Sequence, residues 1–148
     1  MNQNIHAPES NFEERIRASF DHQQVMQLLN ARLAKVFPGE VHIELPYDPK
    51  LTQQHGYLHA GIITTIVDSA CGYAAYSLMP ADASVLSVEF KINLLRPAAG
   101  EYFLGIGKVV KSGRTLTVCS GEMHAFNQAE SQVVALMQAT MIAAARKA

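Results

Sequence analysis

The chain has 148 residues, of which 49% are hydrophobic and 17% are charged, and its formal net charge is −1. This length suits one domain with a short additional helical segment and is too small for two full domains. Because 12 basic residues are balanced by 13 acidic ones without a basic run, the composition disfavours a nucleic-acid surface. A charged fraction below the roughly 25% usual for soluble domains indicates that another subunit covers part of the surface.

Targeting and redox signals are weak. Residues 1–10 are polar and lack the apolar core of a signal peptide, so we expect a disordered lead-in over residues 1–11. Cys71 and Cys119 are far apart and follow no metal-binding spacing, which predicts two free, buried thiols in a reduced cytoplasmic compartment. The apolar stretch 60–79 contains Asp68, whose burial in a bilayer costs about 3 kcal/mol, so a buried soluble helix is expected there.

Hydrophobic spacing predicts the secondary structure in chain order. Short helices are expected between residues 12 and 29, and one long helix from residue 60 to 78. The segment 51–58 is polar and is expected to be a loop. Alternating apolar residues predict strands at 31–37, 41–45, 86–94, 102–110, 116–126 and 133–145.

This order predicts an α+β fold in which an antiparallel sheet wraps around one central helix. The expected division is a tail with short helices at 1–29 and a single domain at 30–148. We expect the last four strands to follow one another as hairpins. Since one helix covers only one sheet face, the outer face is expected to pair with a second copy of the chain.

Asp68 is the only charged residue between residues 51 and 81, and it lies inside the most apolar helix. An unpaired buried carboxylate is costly, so this position needs an explanation. One interpretation is structural, with the carboxylate bonded to Thr64, Thr65 or a backbone NH. The other is a general base or nucleophile that faces a cleft.

The segment from Gln53 to Gly61 leads into the start of the long helix. A helix N-terminus offers free NH groups and a positive dipole end, which suits a developing oxyanion. His59 is equally compatible with a helix cap or packing role, and His55 has no evident partner. A metal site is not expected, because no nearby Cys, Asp or Glu completes a ligand set.

Three motifs together resemble one family. They are HGxxHAGxxxxxxD at the helix start, SVEFKINLLRPA on the next strand, and KSGRTLTVCSGEMHA. This set resembles the hotdog-fold acyl-CoA thioesterases, in particular the PaaI-like group and the 4-hydroxybenzoyl-CoA thioesterases of the Arthrobacter type, over about residues 30–145. The family usually reads His-Gly-Gly where this chain has His59-Ala60-Gly61. The added methyl group is expected to narrow the acyl site or slow the enzyme.

The resemblance implies hydrolysis of an acyl-CoA to the free acid and coenzyme A, without a metal or organic cofactor. It makes Asp68 the catalytic carboxylate and the amide NH of Ala60 the group that polarises the thioester carbonyl. Gln53 or the adjacent Gln54 assists at that carbonyl, and Ser87 positions the attacking water. The residues implied in substrate binding are His59, Gly61, Arg96, Lys111, Gly113 and Arg114. For the basic residues, ordinary solvated charge is an equal alternative.

Helix geometry adds an independent expectation. Ala60 and Asp68 are eight residues apart, which places them about 12 Å apart along a helix axis. Both cannot lie within hydrogen-bond distance, about 3 Å, of one carbonyl. The site is therefore expected to be shared between subunits, with Gln53 and Ala60 from one and Asp68 and Ser87 from its partner. A dimer of dimers is the expected assembly.

Two other functions remain open from the sequence. A related hydratase or dehydratase would need His55 or His59 in an acid–base pair. A non-catalytic acyl-CoA-binding module is the second alternative. The sequence does not identify the acyl group, since the aromatic and sulfur side chains that would shape a pocket are equally compatible with the core. These side chains are Tyr57, Tyr73, Tyr76 and Met79.

Overall fold

A computed structural model describes residues 9–145 of the chain, so most of the expected lead-in lies outside the described residues. Two short helices, Phe12–Asp21 (α1) and Gln24–Leu28 (α2), come first. The long helix is Ala60–Tyr76 (α3), preceded by the 3-10 turn Pro49–Leu51. The strands are Arg32–Phe37 (β1), Glu40–Pro46 (β2), Ala83–Leu94 (β3), Tyr102–Ser112 (β4), Leu116–Asn127 (β5) and Glu130–Ala145 (β6).

The strands form one antiparallel sheet in the order β1-β2-β4-β5-β6-β3, and α3 packs across it. The expected α+β architecture is therefore confirmed. The expected hairpin succession of the last four predicted strands is wrong for β3, which pairs with β6 and not with β4. The connection between β3 and β4 crosses the end of the sheet, where Leu95 donates its NH to Val134 and Glu101 donates its NH to Phe126. Because this connection hydrogen-bonds to both β6 and β5, it spans two strands, and β3 lies at the edge of the sheet next to β6.

The central helix lies unusually close to β4 and β5. A Cβ placed on Gly107 would lie 2.3 Å from the carbonyl carbon of Ala70, and one on Gly105 would lie 2.6 Å from Ile66. Gly121, directly opposite Gly107, would bring a Cβ within 2.4 Å of Val67. The missing side chains thus let one face of α3 rest directly on the two strands.

The first two helices belong to the same hydrophobic core. Ile16, Phe20 and Met26 are buried in one cluster with the apolar face of α3. Arg15 fastens α1 to the C-terminal end of α3, because its guanidinium donates to the carbonyls of Tyr76 and Met79 at 3.2 and 2.9 Å. The same guanidinium lies 4.4 Å from the centre of the Tyr76 ring. A cation is favourable at this position because the helix dipole is negative at its C-terminus.

The β3 edge of the sheet exposes apolar side chains in the described part of the chain. β3 has a neighbour on one side only, and its apolar residues Leu86, Val88 and Phe90 are exposed. Unpaired, apolar edge strands are sites at which another chain can add to a sheet. Cys71 and Cys119 are free and buried, as expected. No helix within residues 9–145 is long and apolar enough to cross a membrane.

Candidate active site

Asp68 and Ser87 meet where α3 faces the start of β3. The Ser87 hydroxyl donates to Oδ1 of Asp68 at 2.8 Å. Asp68 is half-buried on the helix, whereas Ser87 is exposed on the open edge strand. The bonds from Thr64 and Thr65 that a structural role of Asp68 would use are not formed, because those hydroxyls donate to the carbonyls of Ala60 and Gly61. The carboxylate is thus held by one hydroxyl and keeps accepting positions for a further partner.

The environment of Asp68 favours its protonated form. Burial raises the pKa of this carboxyl above its ordinary value, and the hydrogen bond from Ser87 opposes that shift by favouring the anion. A carboxylate with a raised pKa is a stronger base once it is ionised. Such groups are found preferentially at functional sites, although structural networks also produce them.

A cleft of about 300 Å³ opens beside this pair. Its helical wall comes from one face of α3 and includes Asp68, Gly72 and Tyr73. Its strand wall comes from the start of β3, which contributes Val85 and Ser87. The carboxylate therefore faces a space that a small organic group can enter.

The N-terminus of α3 forms a second arrangement. His59 caps the helix, and its Nδ1 accepts the Gly61 NH at 2.9 Å. The cap interpretation of His59 is thereby confirmed, and the Gly61 NH is occupied. The neighbouring amide NH of Ala60 has no acceptor among residues 9–145. This free NH at the positive end of the helix dipole can donate to a carbonyl oxygen.

Gln53 lies in the loop that approaches this helix start. Its side-chain Oε1 accepts the NH of His55, and its backbone carbonyl accepts the NH of Gly56, so the side chain shapes a turn. Gly56 has a φ of 86°, the left-handed conformation that this turn requires. Gln54 is exposed, and its amide lies 3.3 Å from the imidazole of His55.

The predicted basic residues fall at opposite ends of the sheet. The pairing register places Ser87 in one transverse row with Ser112, three strand spacings or about 14 Å away. Lys111 near the end of β4 and Arg114 in the β4–β5 turn therefore lie at the Asp68 end, and we call them the basic turn. Gly113 donates its NH to Leu116 at 2.8 Å in this turn.

Arg96 lies at the other end of the sheet. It follows the C-terminal end of β3 and donates to Gln132 at 3.0 Å. Two residues later, Ala98 accepts the NH of Leu58, just before the N-terminus of α3. The chain thus carries two groups of predicted site residues. We call the group around Ala60, Gln53 and Arg96 the helix-start group. The group around Asp68, Ser87 and the basic turn is the carboxylate group.

Comparison with known proteins decides the family. The thioesterase superfamily model matches residues 55–132, which include both Ala60 and Asp68. The chain belongs to this superfamily. A candidate esterase of Halobacterium salinarum is 31% identical over 108 residues, which cover 70% of this chain and 71% of that protein.

Solved structures agree with this thioesterase assignment. A thioesterase family protein from Silicibacter pomeroyi is 51% identical, with a TM-score of 0.90 over 91% of this chain and 99% of that one. The PaaI protein of the phenylacetic acid degradation operon of Escherichia coli has the same fold at 19% identity. Its TM-score is 0.81 over 92% of this chain and 95% of that one. The hotdog fold and PaaI-like resemblance expected from the sequence are confirmed, and the chain is a thioester hydrolase.

Sequence reasoning missed one wall of the thioesterase cleft. Ser19, His22 and Gln23, at the junction of α1 and α2, line the space beside Asp68. Tyr73, expected to be either core or pocket, is both, because it is buried and also lines this cleft. The hydrophobic spacing of residues 12–29 predicted helices. It did not indicate that the junction of α1 and α2 would lie beside Asp68, more than forty residues later in the chain.

Proposed function

We propose that this thioesterase hydrolyses acyl-CoA thioesters, with Asp68 as the catalytic carboxylate. The observation that carries the proposal is the Asp68 carboxylate, half-buried, bonded to the Ser87 hydroxyl and facing a cleft. Ionised Asp68 acts either as a base toward water or as a nucleophile toward the thioester carbon. In the first route, Ser87 orients the water, since its hydroxyl oxygen retains accepting capacity while it donates to Asp68.

The free amide NH of Ala60 is the proposed oxyanion donor. As the thioester carbonyl is attacked, negative charge develops on its oxygen, and a fixed backbone NH stabilises that charge. Gln53 is the proposed second donor. Its Oε1 accepts the NH of His55, so its Nε2 amide group is the donor for this role.

The proposed site is shared between two subunits. Ala60 is the first residue of α3, and Asp68 lies about two turns later on the same helix. The two residues are therefore about 12 Å apart along the helix axis, so one chain cannot bring both within hydrogen-bond distance of one carbonyl. The open, apolar edge of β3 supports a two-fold dimer in which the two sheets join. The helix-start group of one chain then meets the carboxylate group of its partner. Exposed Leu116 and Leu136 on the outer sheet face support our further proposal of a dimer of dimers.

Coenzyme A binding is proposed for the basic residues. In a shared site, Lys111 and Arg114 of one chain and Arg96 of the other come to the same composite site, although they are separated within a chain. Exposed cations suit the phosphates of coenzyme A. We also propose a cytoplasmic location, which the two buried free thiols support; labelling of the thiols in intact and disrupted cells would test it.

The central experiment measures thiol release from a panel of acyl-CoAs. Wild type is expected to release coenzyme A, whereas Asp68→Asn is expected to lose about 10³-fold in kcat, since the amide keeps the shape and removes the base. Asp82→Asn is the matched control, because Asp82 is exposed and does not line the cleft. Ordinary turnover by folded Asp68→Asn would show that the proposed mechanism is wrong.

Mixed dimers test the sharing of the site. Asp68→Asn lacks the carboxylate, and Ala60→Pro lacks the NH at a position where proline suits a helix start. One site of each mixed dimer inherits both lesions, and the other inherits neither. Because about half of randomly paired dimers are mixed, recovery should approach about one quarter of wild-type activity. If mass spectrometry finds mixed dimers of folded chains without activity, the site lies within one subunit.

The phosphate contacts predict a separate kinetic effect. Lys111→Ala combined with Arg114→Ala is expected to raise KM by about tenfold with little change in kcat, since contacts remote from the thioester act equally in the ground and transition states. The effect should weaken at high salt, which screens exposed charges. An unchanged KM at low salt would show that the basic turn does not contact coenzyme A.

A further inference from the structure

The α1–α2 segment precedes the residues matched by the thioesterase family model and forms one wall of the cleft beside Asp68. We propose that the acyl group of the thioester occupies this cleft and that His22 and Gly72 set its length. This inference rests on the proposed function, because it takes Asp68 as the catalytic carboxylate. It adds the substrate class: compact acyl groups.

His22 stands between two cavities. With Ser19 and Val85, it lines both the cleft at Asp68 and an adjoining cavity of about 490 Å³. The second cavity continues along α1 toward Arg15. The imidazole is held in place by its Nδ1, which donates to the carbonyl of Ala18 at 2.7 Å. A ring in this position limits how far an acyl chain extends from the carboxylate.

Gly72 opens the opposite wall. It lies inside α3, where glycine is less favourable than alanine. Unlike Gly107, it is not required for close packing, because a Cβ at Gly72 would meet nothing within 4 Å. Its position on the cleft gives it a different role. The absence of a side chain leaves room for the acyl group next to Asp68.

Two sets of contacts hold the α1–α2 wall against α3. Gln23 bridges the cleft, since its amide donates to Ser69 at 3.4 Å and accepts from Tyr73 at 3.3 Å. Arg15 binds the end of α3 at the other side. The backbone that carries His22 is therefore held relative to Asp68 on both sides, and its exposed imidazole is oriented by the bond to Ala18.

The volume of the cleft gives the substrate class. A volume of about 300 Å³ is at the lower end of the roughly 300–1,000 Å³ usual for ligand pockets. This space suits a compact acyl group better than a long fatty acyl chain. Removal of the His22 ring should widen the passage between the cleft and the adjoining cavity of about 490 Å³.

The test is a chain-length series of saturated acyl-CoAs, from butanoyl to tetradecanoyl, followed by thiol release in the complete enzyme. Wild type is expected to favour the short members. His22→Ala should raise the ratio of kcat/KM for dodecanoyl-CoA over hexanoyl-CoA by about tenfold or more. Gly72→Leu should act in the opposite direction and shift the optimum to shorter chains, with Gly72→Ala giving a smaller shift.

Two controls distinguish size from other effects. His22→Leu keeps a bulky side chain and should retain the wild-type profile, and Glu14→Ala changes an exposed residue of α1 outside the cleft. A shifted profile in His22→Leu equal to that in His22→Ala would overturn the size argument. An unchanged profile in both His22→Ala and Gly72→Leu, with Asp68→Asn inactive, would overturn this inference and leave the proposed function intact. Absence of thiol release from every acyl-CoA by wild type would instead overturn the proposed function.

Discussion

The two sides of α3 use glycine in opposite ways. On the side of β4 and β5, Gly105, Gly107 and Gly121 remove side chains so that strand and helix backbones touch. On the side of β3 and the first helices, Gly72 removes a side chain where no neighbour stands within 4 Å. One side is therefore closed by contact, and the other is held open around Asp68. The same residue type secures the helix on one side and leaves room for a ligand on the other.

The closed side predicts the largest effect on stability. Gly107→Ala places a methyl group 2.3 to 2.4 Å from backbone atoms of Ala70 and Cys71, which cannot rotate away. We expect a loss of about 3 kcal/mol or more in the free energy of unfolding, measured by urea denaturation. A variant as stable as wild type would show that α3 is free to move away from the strands.

The open side predicts a change in pH dependence. The Ser87 hydroxyl favours the ionised form of Asp68, so Ser87→Ala should raise the pKa of this carboxyl further. Since the proposed mechanism uses the ionised form of Asp68, the acid limb of kcat/KM should move to higher pH, and activity should be lost at a higher pH than in wild type. Ser131→Ala, at an exposed site on β6, is the control. An acid limb at the same pH in Ser87→Ala and wild type would show that Ser87 does not influence the proposed catalytic carboxylate.

The smallest effect is expected at the open glycine. Gly72→Ala should increase the free energy of unfolding by about 0.5 to 1 kcal/mol, because alanine is the better helix former and its Cβ meets nothing. The rise is measured by the same urea titration as for Gly107→Ala, which makes the two variants a matched pair. A loss of stability would place a packed neighbour at Gly72 and remove the contrast between the two sides.

The sequence predicted the elements better than their arrangement. Alternation of apolar residues located the strands, since each strand buries one face, and the apolar helix at 60–78 ends two residues earlier in the structure. Alternation does not encode the partner of a strand, so the pairing of β3 with β6 was not foreseen. That partner follows from the crossover through Leu95 and Glu101, whose backbone bonds depend on the complete sheet.

The candidate site was predictable where a single residue violated a local rule. Asp68 stood out as a charge within an apolar helix, and Ser87 was implied only by the family resemblance. His22 and Gly72 gave no such signal, because a histidine at a helix end and a glycine among small helix residues are unremarkable locally. Their roles depend on the cleft, which exists only when α1, α3 and β3 come together.

The edge position of β3 also orders the folding of the chain. Its neighbour in the sheet is β6, and Ala83 at its start pairs with Ala145. Contacts between segments so distant in sequence form late, because the entropy of closing the intervening loop opposes them. Asp68 can reach its place early on α3 as β4 and β5 form their hairpin. Ser87 is anchored only when β6 arrives, so the proposed catalytic pair of Asp68 and Ser87 is completed by the pairing of β3 with β6.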